Sequence, residues 1–285
     1  MFVPHKVLER RLSRLLAEDI GQGDVTTAAV VPPGTKAEAE VIAKEDGVAA
    51  GIEEAVILAE SLGLKTETQL ADGETVRKGQ VIISIRGDAR TILSAERMMM
   101  NLLSRMSGIA TATKRLIEKI RKAGLSTRIA ATRKTAPGLS YFDKKAVFIG
   151  GGDPHRLHLD DMILIKDNHI ALAESVEAAV RKAKGNASFC KKIEVEVTKV
   201  KDTVIAARAG ADVIMLDNFK PNEIKKAVKL LSKTGFFGKV LLEASGGILE
   251  ENILEYGLTG VDIISMGGLT NSVKALDISL EITKR

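Results

Sequence analysis

A chain of 285 residues, 45% apolar and 28% charged, has material for one large or two modest globular domains with a buried core. Its 42 basic residues exceed the 37 acidic ones but are spread along the chain, and seven Phe and two Tyr offer little for base stacking, so a basic pocket for a small anionic substrate explains the excess better than nucleic acid does. No apolar run approaches the roughly 18 residues of a membrane span, and Cys190 alone can form neither an intrachain disulfide nor a cysteine-based metal site, so a cytoplasmic setting is expected.

The opening MFVPHKVLERRLSRLLAEDI lacks the continuous apolar segment of a signal peptide and reads as an amphipathic helix. After GQGDVTT and the turn-rich VVPPGTKAE, three segments have strand character: AEAEVIAKEDG, LKTETQLADG and VIISIRG. A helix at IEEAVILAESLG lies between the first two, and DGETVRKGQ reads as a turn-bearing link. This is a small α+β unit with no sign of chemistry. A long helix follows from about Thr91 to Ala123, with Leu93, Arg97, Leu102, Met106, Ile109, Leu116, Ile117 and Ile120 at helical spacing and Gly124 as its stop. The Met98-Met99-Met100 run reads as core or interface packing.

From Ser126 onward the pattern is strand, loop, helix, repeated. The apolar strands are RIAAT, MILIK, KIEVEV, DVIML, KVLLE and VDIISM. Between the later ones fall the helical segments ALAESVEAAVRKAKG, KVKDTVIAARAG, PNEIKKAVKLLSKTG and LEENILEYG. Strands this uniformly apolar are expected where both faces are buried, as in a parallel sheet wrapped by helices. Their number and spacing point to a closed or nearly closed α/β barrel rather than a doubly wound sheet.

In such a barrel the C-terminal strand ends share one face, where active sites sit. Arg133 and Lys134 follow RIAAT, Lys166 ends MILIK, and Glu196 lies near the end of KIEVEV. Asp217 and Asn218 end DVIML, Ser245-Gly246-Gly247 follow KVLLE, and Gly267-Gly268 follow VDIISM. Each cation could be a solvated loop end, but their convergence with His155-Arg156 favours an anion site. Glu196 and Asp217 could pair with those cations, or hold Mg²⁺ together with substrate oxygens. The glycine pairs could be plain turns, or could let backbone N–H groups approach a phosphate. Phosphosugar isomerases, aldolases and phosphoribosyl enzymes all fit this description. His155, His158 and His169 lack the spacing of a helical zinc set.

The motifs EDIGQGDVTT, AERMMMNLLSRMSGIAT, ATRKTAPGL, GGGDPHRL, LIKDNHI, LDNF and EASGGI run the length of the chain. In order and spacing they resemble those of the quinolinate phosphoribosyltransferase family. The resemblance implies an incomplete (β/α) barrel over residues 113–271. It also implies an N-terminal α/β sandwich domain over residues 1–112, completed by residues 272–285. The implied reaction joins quinolinate and phosphoribosyl pyrophosphate to give nicotinate mononucleotide, pyrophosphate and CO2, with Mg²⁺. The implied assembly is a homodimer with shared active sites, or a hexamer built as a trimer of such dimers.

Carried over position by position, Arg133, His155, Arg156 and Lys166 are expected to bind quinolinate, with Arg97 supplied by the neighbouring subunit. Lys134 and Lys166 are expected at the reaction centre, and Glu196 and Asp217 at the Mg²⁺-pyrophosphate. Ser245, Gly246, Gly247 and Gly267 are expected to hold the 5′-phosphate. The segment MGGLTNS departs from the family's GALTHS, placing Asn271 where many relatives have histidine, which puts one contact with phosphoribosyl pyrophosphate in doubt. For His158, structural support and substrate contact stay equally open.

Three rival readings stand beside this one. The molybdenum-associated paralogue of the same fold shares the TRKT and HRL segments, but LIKDNHI argues against it. A Schiff-base lyase would use Lys166 as its amine, and a non-catalytic phosphate-ligand binder would turn nothing over.

Overall fold

The computed structural model describes residues 3–284, so residues 1–2 of the expected opening helix and residue 285 of the expected C-terminal segment lie outside the described chain. In chain order the elements begin with α1 (His5–Ile20), α2 (Val25–Val30), β1 (Lys36–Ala43), β2 (Gly47–Val48) and α3 (Ile52–Ser61). β3 (Lys65–Thr68), β4 (Thr75–Val76), β5 (Val81–Asp88) and the long α4 (Ala89–Lys122) follow. Then come β6 (Arg128–Ala130), α5 (Ser140–Ile149), β7 (Ile163–Ile165), α6 (Asp167–Ala173), α7 (Val176–Asn186) and β8 (Ile193–Val197). The chain continues with α8 (Val200–Ala209), β9 (Val213–Asp217), α9 (Pro221–Lys233), β10 (Leu241–Ser245) and α10 (Ile253–Gly257). It ends with β11 (Ile263–Ser265), α11 (Gly268–Asn271) and β12 (Ile278–Lys284).

Two compact units result. The first comprises residues up to 114, residues 141–151 and residues from 273 onward. Its sheet is antiparallel, with strand order β12-β1-β5-β3. In β1 the residues alternate between buried and part-exposed, so Ala37, Ala39, Val41 and Ala43 form one apolar face. α1 buries Leu8, Leu12 and Leu16, one residue per turn, as an amphipathic helix must. α2 starts at Asp24, whose carboxylate accepts a hydrogen bond from the Thr27 N–H at 2.9 Å.

α5 has no counterpart among the helices expected from periodicity, for a physical reason. It buries Asp143, Lys144 and Lys145 alongside Phe142 and Val147, so its inward face carries charges rather than an apolar stripe. Asp143 and Lys145 are held by ion pairs. Asp143 accepts two bonds from Arg105, at 2.7 and 2.8 Å, in a bidentate arrangement. Lys145 donates to Glu54 at 2.7 Å and also to Glu53.

The second unit comprises residues 115–140 and 152–272. All six expected strands are present as one parallel sheet of order β6-β11-β10-β9-β8-β7. β8 and β9 are buried almost throughout, as a helix-covered parallel strand should be. The sheet is open: β6 and β7 stand at its two edges, and no ladder joins them among the described residues. The incomplete barrel is therefore correct and full closure is not. Side chains of β8 and β10, second neighbours in the sheet, approach each other on its inner face. Glu194 and Glu243 each place a carboxylate oxygen 3.3 Å from the same atom, Nε2 of His155. Second-neighbour strands in a flat sheet are about 9.5 Å apart, so this convergence accords with a sheet curling toward that face.

Candidate active site

A cavity of about 550 Å³ opens at the C-terminal ends of the parallel strands. Arg133 and Lys134 reach it from the loop after β6, and Lys166 from the residue after β7. Glu196 and Asp217 come from the ends of β8 and β9, and Ser245, Gly246 and Gly247 from the end of β10 and the turn beyond it. His155 and Arg156 enter from the loop preceding β7. Ten of the expected site residues therefore line one cavity. Three do not. Gly267 and Asn271 sit at the next turn, and Arg97 is an exposed residue of α4 in the first unit.

Local chemistry fixes these side chains. Lys166 is the residue before α6, and its backbone N–H donates to His169 Nδ1 at 2.9 Å, so His169 caps the turn that aims the lysine. Lys166 Nζ then pairs with Glu196 Oε1 at 2.5 Å, both groups remaining accessible in part. Lys134 is held through its backbone. Its N–H donates to Thr132 Oγ1 at 3.1 Å, and its carbonyl accepts from the buried Thr270 Oγ1 at 2.8 Å.

Asp217 is steered by its neighbour. Asn218 adopts the left-handed conformation (φ 57°), its N–H donates to the Ser245 carbonyl at 2.8 Å, and its Nδ2 donates to Asp217 Oδ2 at 3.1 Å. Gly246 (φ 94°) lies against that amide: a Cβ built there would fall 2.3 Å from Asn218 Oδ1. Only glycine fits.

His155 is a second non-glycine residue with positive φ (55°). Its N–H donates to Asp153 Oδ1 at 2.7 Å, and its own Nδ1 accepts from the Arg156 N–H at 2.7 Å. Nε2 points into the barrel, 3.3 Å from one oxygen each of Glu194 and Glu243. Both glutamates are buried, and among the described residues none of their four carboxylate oxygens has a regular hydrogen bond.

Burial alone would lower the proton affinity of His155, but contact with the two carboxylates outweighs it and raises the affinity of the group for a proton. Burial raises Glu194, and the charge of Glu243 adds to that rise. A doubly protonated ring conflicts with Nδ1 facing an N–H donor, which requires a lone pair there. The geometry decides the tautomer: the ring carries its proton on Nε2, and the further proton belongs to the His155–Glu194–Glu243 group as a whole. The same contact argues against a metal at these three side chains, because a metal on Nε2 would need a proton on Nδ1. Above this floor, burial and then the charge of Arg133 lower the pKa of Arg156, while Glu194 and Glu196 support its charged form.

The site thus combines four cations, two carboxylates at neighbouring strand ends and two glycines with positive φ. Such a set suits a substrate with several anionic groups. Residues 109–281 match the family described as quinolinate phosphoribosyl transferase, C-terminal domain, and residues 24–107 match its N-terminal domain. The chain belongs to the quinolinate phosphoribosyl transferase family.

Among its relatives, the probable nicotinate-nucleotide pyrophosphorylase [carboxylating] of Methanocaldococcus jannaschii is 49% identical over 277 residues, covering 96% of both chains. The protein of the same description from Methanothermobacter thermautotrophicus is 45% identical over 271 residues, covering 95% of this chain and 97% of that one. The solved nicotinate-nucleotide pyrophosphorylase of Francisella tularensis superposes with a TM-score of 0.89 at 37% identity, over 99% of this chain and 98% of that one.

Within this family frame, Glu194, Glu243, Thr270 and Asn218 do local work that sequence reasoning did not assign: Glu194 lies outside the quoted motifs, and the other three lie within EASGGI, MGGLTNS and LDNF without a role. For two of them a signal was present. Glu194 stands two residues before Glu196 in KIEVEV, and Glu243 two before Ser245 in LLEAS, so period-two geometry puts each on the same inner face as a site residue, one level deeper.

Proposed function

We propose that this chain catalyses the reaction of quinolinate with phosphoribosyl pyrophosphate to give nicotinate mononucleotide, pyrophosphate and CO2. The observation that carries the proposal is a single cavity holding Arg133, Lys134, Arg156 and Lys166 beside Glu196 and Asp217. Two guanidinium groups suit the two carboxylates of quinolinate, since each planar fork can use two N–H donors at once. Lys134 and Lys166 would face the phosphoribosyl end. The 5′-phosphate would rest against Ser245, Gly246, Gly247 and Gly267, where backbone N–H groups without an intervening Cβ can approach it. Asn271, whose Oδ1 accepts from Ser272 Oγ at 2.8 Å, would offer a neutral donor where many relatives have histidine.

Glu196 and Asp217 fit Mg²⁺ by donor chemistry. Both are hard carboxylate oxygens lining the cavity from adjacent parallel strands, and neither is fully buried. Bound there, Mg²⁺ would supply charge neutralisation on the pyrophosphate. The chain's own groups do the rest. The arginines hold the ring so that its nitrogen faces the anomeric carbon. As the N–C bond forms and the C–O bond to pyrophosphate breaks, the lysines stabilise the negative charge gathering on the leaving group. When the adjacent C–CO2 bond then breaks, its electron pair stays on the ring carbon, where the positive charge of the quaternary nitrogen stabilises it until that carbon takes a proton from water.

Arg97, exposed on α4, would serve the site of a second copy, which makes a homodimer part of this reading, either alone or within a trimer of dimers. A cytoplasmic location also belongs to it; no described helix is long and apolar enough to cross a membrane. The test is pyrophosphate release with quinolinate, nicotinate and nicotinamide side by side. Losing one carboxylate leaves a desolvated cation unpaired, which costs about 3–5 kcal/mol, so nicotinate should be a poor substrate. Equal catalytic efficiency with quinolinate and nicotinate would sink the proposal.

A further inference from the structure

We propose that Glu194 and Glu243 are positioning residues, which hold the imidazole of His155 by its Nε2 and thereby set the strained His155–Arg156 corner that delivers the Arg156 guanidinium to the cavity. This rests on the proposed reaction and assigns the substrate end of the same site.

Four observations converge on it. His155 is held at a positive φ of 55°, which strains a non-glycine residue and persists only where surrounding contacts enforce it. The corner is closed from both sides, by Asp153 on the His155 N–H and by the ring's Nδ1 on the Arg156 N–H. The ring's other nitrogen is held by Glu194 and Glu243, which come from β8 and β10 on either side of β9. Finally, both glutamates are buried, at 0% and 1% exposure, and among the described residues their oxygens have no regular hydrogen bond. Buried carboxylates in that state cost stability rather than supply it. Their contact with His155, and the influence of Glu194 on the charge of Arg156, supply a reason for them.

The arrangement also changes the part expected of His155. Both ring nitrogens are occupied within the protein, Nδ1 by the backbone and Nε2 by the floor, so His155 contributes by shaping the cavity and aiming its neighbour. Arg156 and Arg133 are left as the groups that meet the substrate carboxylates. Glu194 additionally stabilises the charge of Arg156 from below, countering its repulsion by Arg133.

Two measurements test the role. Nitrogen-15 NMR of the parent protein, with His155 assigned by its absence from His155→Gln, should show a ring protonated at Nε2 and unprotonated at Nδ1. A doubly protonated ring, or one protonated only at Nδ1, overturns the proposal. Steady-state kinetics of Glu194→Gln and Glu243→Gln should show the quinolinate KM raised roughly tenfold to a hundredfold, the loss expected when a binding group is misaimed by about 1 Å. The KM for phosphoribosyl pyrophosphate should hold, and the thermal midpoint should hold or rise, since a buried unbonded carboxylate is removed.

An equal rise in both KM values together with a lower midpoint marks a merely structural role and overturns the assignment, as does an unchanged quinolinate KM. If neither variant folds, the ring measurement on the parent decides alone. A parent protein that releases no pyrophosphate from phosphoribosyl pyrophosphate and quinolinate contradicts the proposed reaction instead, and the ring measurement still judges the corner.

Discussion

Gly246→Ala offers a sharp test of how the carboxylate of Asp217 is held. The added Cβ would stand 2.3 Å from Asn218 Oδ1 and 2.7 Å from its Cγ, against the roughly 3.5 Å of an ordinary contact, so the amide must retreat by about 1 Å. Asn218 has little room to comply, because its N–H is bonded to the Ser245 carbonyl and its φ is already 57°. Two costs follow. A φ of 94° strains alanine by about 1–2 kcal/mol, and losing the Asn218–Asp217 hydrogen bond removes about 1 kcal/mol more. Stability in urea should therefore fall by about 2–3 kcal/mol. Gly247→Ala is the comparison, since Gly247 also has positive φ (64°) but a Cβ there meets nothing within 4 Å. It should show the strain alone. In kinetics, Gly246→Ala should raise the KM for phosphoribosyl pyrophosphate far more than that for quinolinate, because Asp217 is the group displaced. Equal losses of stability in the two variants, with an unchanged phosphoribosyl pyrophosphate KM for Gly246→Ala, would refute the steering role of Asn218.

Lys145→Met leaves Glu54, at 0% exposure, without its cation and should cost about 3–5 kcal/mol of stability in the first unit. Adding Glu54→Gln should recover part of that loss, and a double-mutant cycle in denaturant measures it; simple additivity would show that the pair is not coupled. If each site spans two subunits as proposed, Arg97→Ala and Lys134→Ala proteins, each expected to be inactive alone, should regain some activity when mixed, because a hybrid dimer would have one unmutated site. No recovery after confirmed subunit exchange rules out the shared site.

The βα alternation of the second unit was legible because its strands are short apolar runs separated by amphipathic segments, a pattern that burial on both faces imposes. Arg133, Lys134, Lys166, Glu196 and Asp217 were legible for a related reason: each follows or lies at the end of such a run, so the strand fixes where it points, whereas Arg156, in the loop before β7, stood out only through the GGGDPHRL motif. α5 was hidden because its buried face carries Asp143, Lys144 and Lys145, and pairing such as Arg105–Asp143 is invisible in a linear pattern. Openness of the sheet was hidden from the strand pattern, since strand count is the same whether or not β6 meets β7, and only the motif resemblance implied an incomplete barrel. The sequence marks His155 as a polar residue beside Arg156. It does not reveal that the ring turns inward, because that depends on Glu194 and Glu243 converging from strands about fifty residues apart.

One measurement reaches the central claim most directly. With phosphoribosyl pyrophosphate and quinolinate carrying carbon-13 in the carboxylate next to the ring nitrogen, labelled CO2 and pyrophosphate should appear together, one for one. Pyrophosphate released without labelled CO2, or labelled CO2 released without phosphoribosyl pyrophosphate, would contradict the account.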